Sequence, residues 1–343
     1  MNYYIKSWGS RSFINDTHQS ILKSLLEQIP KDFVLVDTSW LEIDDDFVNF
    51  CNNNIDKTFL LYSGPDWENT VCRKPQHDWI KNNIKNTFHI GNCNNKYYFN
   101  FWLEFLRTNF VEQDYKVHEI QKVFMCLNRK PHSHRVQLIQ KIYENNLQNY
   151  GYISLGTHPS HDNPYETYFP TQDEIDSKYF GLKVPITLEN DIENKAGEEA
   201  TAGTYGITND ISSLGNINNW NTHFVNIVSE TTIHSNVFLS EKTFKPILGM
   251  KPFMILGDNK VYKKLHDWGI DTFDDIFGKG YYERWHDDRT DWIVSTLRDL
   301  VKRDDLLSLT KKLQGRLLSN NEIIKDQMKK NKHKIDNFYR TYD

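Results

Sequence analysis

The stretch "KVFMCLNRKPHSHRVQLIQKIYENNLQNYGYISLG", residues 122–156, decides the fold. Its first seven residues form a short apolar run that ends at Asn128, long enough for a buried strand and too short for a helix. Residues 134–147 then change period, with Val136, Ile139, Ile142 and Tyr143 on one helical face. Residues 150–156 are again a short apolar run. Strand, helix and strand in about 35 residues predict a βαβ unit, and hence a parallel sheet.

The same alternation occurs upstream. "DFVLVDT" (32–38), "TFLLYSG" (58–64) and "NTFHIGN" (86–92) have the β-branched and aromatic content of buried strands, and "WLEIDDDFVNFCNN" and "HDWIKNNIKN" separate them at helical length. Helical pattern continues through "YYFNFWLEFLRTNF", and the polar residues 111–119 predict a junction. Two Rossmann-like α/β domains are expected, 1–115 and 116–343, a division that suits 343 residues. From 157 to 220 periodicity fades into a long loop, most polar at "ENKAGEEATAGTYG", and order resumes with "THFVNIVSE" and "KPFMILGD" flanking "SEKTFKPILG". The last 60 or so residues are expected to be helical and to cover the core, the last helices packing back on the first domain. The lysine-rich "KDQMKKNKHK" is expected on the solvated side.

A formal charge of -5 and a pI near 6.2 give no global basic field, so a nucleic-acid contact would need a local patch. Cys51, Cys72, Cys93 and Cys126 are far apart, without finger spacing, which predicts reduced thiols and a cytoplasmic protein. No segment approaches about 18 consecutive apolar residues, and no membrane association is expected.

In open parallel sheets, ligands bind beyond the carboxyl ends of strands, where helix N-termini present N–H groups and a positive dipole end. Two places fit. After the strand ending at Asn128, a basic loop carries Arg129 and Lys130, and Arg135 falls in the next helix's first turn, a set suited to phosphate or pyrophosphate. After "FVNIVS", Ser229 and Glu230 end a strand, and Glu230 is placed to accept bonds from ribose hydroxyls. Ser240 is then expected to cap a helix whose first turn holds Glu241, Lys242 and Thr243. Pro246 conflicts with that helix unless it begins later or kinks.

The segment "VSETTIHSNVFLSEKTFKPILGMKPFMILG" (228–257), with "CLNRKPHSHRVQLI" upstream, resembles the donor-binding core of the fucosyltransferase-like glycosyltransferases. The resemblance covers residues 122–258 and implies a GT-B architecture, in which two Rossmann-like domains face a cleft. It implies that Glu230 and Glu241 address the nucleotide ribose while Lys242 and Arg135 neutralise the diphosphate. The sequence departs from the family pattern at Thr231, where Asn is common, and at Phe238, Leu239 and Ser240, so the resemblance does not specify GDP-fucose. A diphosphate leaving group can be stabilised by fixed cations and N–H groups, and neither a metal nor another cofactor is expected. Asp44 and Asp46 in "EIDDDF" lie in a helical pattern, and His132, His134, His158 and His161 lack ligand partners at metal spacing.

An inverting reaction needs a general base from the first domain. Asp66 and Glu68 in "YSGPDWEN" are the first candidates and Asp37 the next, while Trp8, Gly9 and Arg11 follow a possible first strand. Trp220 and Tyr205 could stack a sugar or a base. An Asn-, Lys- and Ile-rich composition is that of proteins from AT-rich genomes, many phages among them, and phage glycosyltransferases can decorate hydroxymethylated bases in their own DNA. With the resemblance, this makes such a base, modified in the host cytoplasm, one expected acceptor. A surface glycan is the alternative acceptor. A nucleotide- or glycan-binding module without turnover is the competing class of function.

Overall fold

Among the described residues, eight strands form two four-stranded sheets, and every strand pair in them is parallel. The computed structural model describes residues 3–5, 12–38, 41, 43–62, 79–80, 82–90, 99–112, 119–156, 182–188, 211–231, 233, 237–282 and 286–336. The chain divides into two units. One comprises the described residues of Met1–Asn109, Ser235–Phe238 and Asp326–Asp343, and the other those of Phe110–His234 and Leu239–Lys325. The expected α/β class is therefore present twice, and the first division falls one residue before the polar stretch expected to hold it.

The first sheet has the order β1-β2-β3-β4, with β1 Tyr3–Tyr4, β2 Phe33–Asp37, β3 Thr58–Tyr62 and β4 Thr87–Ile90. Val34, Leu35 and Val36 have no exposed surface, and Leu60, Leu61 and Tyr62 are the same in β3. Both faces are covered, which is why these strands read as continuous apolar runs rather than as alternation. Sequence reading missed the helix Ser12–Gln28, which packs against the helix Phe101–Asn109. In the helix Asp45–Asn53, Asp44 is the cap: its carboxylate accepts from the Phe47 N–H at 2.9 Å. The aspartate run at 44–46 is thus a helix start with acidic residues at the positive dipole end. The long helix Leu306–Asp336 enters this unit at Asp326. There Met328 and Asn331 are buried and Lys329, Lys330 and Lys332 exposed, while the Asn331 amide exchanges two 2.9 Å bonds with the Asn100 backbone.

The second sheet has the order β6-β5-β7-β8, with β5 Lys122–Asn128, β6 Gly151–Leu155, β7 His223–Ser229 and β8 Phe253–Leu256. The helix Ser133–Glu144 crosses from β5 to β6 and buries Val136, Leu138, Ile139 and Ile142; Tyr143, expected on the buried face, is exposed. β7 is central and buried at all seven positions. At the edge, the outward Ile255 N–H donates to the Tyr262 hydroxyl at 2.7 Å, which blunts strand addition there. Of the region read as a loop, residues 182–188 contribute an antiparallel bridge between Ile186 and Leu155, and Ile217–Thr222 is a helix capped by Asn216. None of the described helices is long and apolar enough to cross a membrane.

Candidate functional site

The helix Glu241–Leu248 begins where the sequence placed it, because Ser240 takes an extended conformation and its hydroxyl accepts from the Lys242 N–H at 3.3 Å. Pro246 sits inside the helix, so the turn lacks one backbone donor. The other fastenings compensate. At the C-terminal end, the Asn321 amide donates to the Leu248 carbonyl at 2.7 Å, and Gly249 packs so closely on Trp220 that a Cβ there would lie 2.3 Å from the indole.

The N-terminal fastening is Glu230. It has no exposed surface, and its two oxygens accept from the Ser240 N–H at 3.0 Å, the Ser240 hydroxyl at 2.6 Å and the Thr243 hydroxyl at 2.6 Å. A buried carboxylate needs such donors, and here they tie the end of β7 to the helix start. The hydroxyl-accepting role expected of Glu230 does not fit this inward geometry. The carboxylate that faces the cavity is Glu241: Oε1 pairs with Lys242 Nζ at 2.6 Å, while Oε2 is buried without a hydrogen-bond partner.

Arg135 is likewise turned inward. It is 1 % exposed and donates to the carbonyls of Lys130 at 3.1 Å and Ser229 at 3.0 Å, joining the loop after β5 to the end of β7. Burial pushes its guanidinium down to about 10 against the pull of Glu230 and Glu241, which leaves it charged at neutral pH. His134 donates from Nε2 to the Glu230 carbonyl at 2.8 Å. His132 stacks on His134 and is held neutral by burial, then by the charges of Arg135, His134, Lys130 and Lys242. Lys130 and Arg135 after β5 and Lys242 after β7 therefore act on one spot beyond the sheet. Asn128 is buried at the β5 end, its amide N–H facing the Cys126 sulfur at 3.3 Å.

A cavity of about 140 Å³ opens at this end of the sheet. Four of the expected residues line it: Arg129, Ser229, Glu241 and Lys242. The Ser229 hydroxyl and Glu241 Oε2 are both buried with no hydrogen-bond partner, on two residues that line the cavity. Asn128, Arg135, Glu230, Ser240 and Thr243 form the support behind them. Lys245, Asn219, Asn226 and Ser154 also line the cavity and were not singled out from the sequence. Lys245 had a signal, since three and four residues after Lys242 and Glu241 it shares their helical face. Asn226 had one too, as the single amide inside the apolar run of β7. Trp220 is a core residue that shows one edge to the cavity; its indole N–H donates to the Gly249 carbonyl at 3.0 Å.

In the first unit, Asp37 ends β2 but is 3 % exposed and lies 2.8 Å from His18 Nε2. That makes it a buried partner of His18 rather than an open base. Tyr62 lies beside the pair, with ring centroids 5.2 Å apart, and its hydroxyl is raised well above the ordinary range by burial and then by Asp37 and Glu104. Asp66, Glu68, Trp8, Gly9, Arg11, Tyr205, His158 and His161 lie outside the described residues. Comparison with protein-family models, with curated proteins and with solved structures finds no match to the chain.

Proposed function

We propose that the protein is a glycosyltransferase of GT-B type that takes a sugar from a nucleoside-diphosphate donor bound in the second unit. The observation that carries this reading is the cavity at the carboxyl ends of β5 and β7. There Arg129, Lys242 and Lys245 line one cavity with the Glu241 carboxylate, at a capped helix N-terminus. Cations and helix N–H groups suit a diphosphate, and a carboxylate suits vicinal hydroxyls. Two α/β units, each with a parallel sheet, agree with the architecture that the resemblance implies.

In this mechanism the lysines and Arg129 neutralise the charge that develops on the diphosphate as the glycosidic bond breaks, with no reorganisation because Glu230 already fixes the helix. The acceptor is a hydroxyl: either the hydroxymethyl group of a modified base in DNA or a glycan hydroxyl. Asp66 or Glu68 is the proposed base on the acceptor side for an inverting reaction.

The test is calorimetric titration of nucleotide sugars, followed by transfer assays on 5-hydroxymethylcytosine DNA and on oligosaccharides. Lys242→Ala and Arg129→Ala are each expected to weaken nucleoside-diphosphate binding about ten- to hundredfold, the worth of one charge-assisted bond. Unchanged affinity in both variants overturns the site. Binding without hydrolysis or transfer on any acceptor assigns the protein instead to the non-catalytic binding modules.

A further inference from the structure

The cavity contains one acceptor whose direction is dictated by its neighbours. His223 starts β7 with no exposed surface, and its Nδ1 lies 2.8 Å from the Asn219 carbonyl. A carbonyl can only accept, so Nδ1 carries the proton. Burial, reinforced by the charge of Lys251, holds this imidazole well below its ordinary range, so Nε2 carries none. The Asn226 amide meets Nε2 at 2.7 Å, and only its N–H end can do so. Asn226 Oδ1 is thereby left as the end offered to the cavity that this residue lines.

The surroundings limit what can meet it. Met125, Leu214 and Trp220 form one apolar cluster, and all three line the cavity. About 140 Å³ is the scale of a single six-membered ring, since a cavity of about 150 Å³ takes up benzene. A purine has one ring more. Along β7 toward Ser229 the lining turns charged, with Glu241 and Lys242. The matching ligand is a flat single ring, with an N–H on one edge, tethered to an anionic group.

Resting on the donor-site reading above, we propose that Asn226 is a specificity-determining residue and that the donor's base is a pyrimidine-2,4-dione, uracil or thymine. The ring N3–H donates to Asn226 Oδ1, and His223 is the positioning residue that keeps that oxygen forward. Cytosine is disfavoured because its N3 is an acceptor and would face Oδ1.

The experiment is calorimetric titration of the full chain with UDP, dTDP, 3-methyl-UDP, CDP and GDP. UDP or dTDP is expected to bind at least about tenfold tighter than 3-methyl-UDP, CDP and GDP, because each of these loses the bond or the fit. In Asn226→Ala the preference for UDP over 3-methyl-UDP is expected to fall to within about twofold. In His223→Leu it falls as well, while affinity for 3-methyl-UDP holds, a selectivity change that a merely structural role would not produce. The 3-methyl comparison uses the unaltered protein, so a variant that fails to fold cannot obscure it. Equal binding of UDP and 3-methyl-UDP, or a preference for GDP or CDP, overturns the base assignment and leaves the diphosphate site standing. No binding of any of the five overturns the donor site and this inference together.

Discussion

Exchanging each of two glutamates for glutamine separates the carboxylate that builds the site from the one that serves it. In Glu230→Gln the side chain keeps its shape but loses its charge: the amide oxygen can still accept the two bonds made to Oε1, now neutral, while an NH2 in place of Oε2 cannot accept from the Ser240 hydroxyl. A bond to a charged group contributes about 1 kcal/mol more than a neutral one, and losing a bond at a buried donor costs about 1–3 kcal/mol, so the total is on the order of 3–5 kcal/mol, and the buried Arg135 loses a counter-charge besides. Glu241→Gln touches much less. Its ion pair with Lys242 is partly open to solvent, its Oε2 has no partner, and its charge at the helix start contributes a few tenths of a kcal/mol, so the change is under about 1 kcal/mol. Urea unfolding followed by tryptophan fluorescence measures the first quantity and UDP titration the second. Glu230→Gln is expected to lower stability strongly, whereas Glu241→Gln is expected to weaken UDP binding about tenfold on an unchanged unfolding midpoint. A stable Glu230→Gln protein that fails to bind, beside a destabilised Glu241→Gln protein that binds normally, would refute the assignment.

Other consequences follow from the same packing. Lys251 is 1 % exposed, with its ammonium bonded to the His223 carbonyl at 2.6 Å, and burial pushes it down from 10.5 to about 7. Between those values the unfolded chain binds the proton that the folded chain has released. Stability is thus expected to rise from about pH 7 to about pH 10.5, by up to roughly 5 kcal/mol at about 1.4 kcal/mol per pH unit. Urea unfolding at several pH values should show that slope in the unaltered protein and its removal in Lys251→Met. Gly249→Ala is expected to cost about 1–3 kcal/mol, because a Cβ would meet the buried Trp220 ring at 2.3 Å; a thermal melt within error of the parent would contradict that. Asp37→Asn removes the charged partner of a buried histidine, and a loss of about 1–3 kcal/mol is expected in the first unit. Stability unchanged by that substitution would return Asp37 to the candidate bases.

Much of the fold was legible because its signals are local. A strand covered on both faces must be an apolar run, and the seven residues from Lys122 to Asn128 read as one without knowledge of their partners. Ser240 was readable as a cap for the same reason, since an N-cap bonds within its own turn. The helix Ser12–Gln28 was missed although Ile21, Leu22 and Leu25 are buried along it, and Tyr143 was assigned to the buried face while Leu138 was left out of it. Periodicity narrows the buried face to an arc, and which residues at its edges are covered depends on what packs against it.

The sequence by itself determined that charged residues would gather at two strand ends, because strand ends and helix starts are set by nearby residues. Which charges line the cavity was decided only by tertiary structure. Glu230 and Glu241 are both carboxylates at the ends of apolar segments, yet Glu230 closes on Ser240 and Thr243, ten and thirteen residues away, and Glu241 is left at the cavity. Asn226 acquires a direction only through His223 and the Asn219 carbonyl. A side chain's donors and acceptors belong to its residue type; their availability depends on what folding places within about 3 Å.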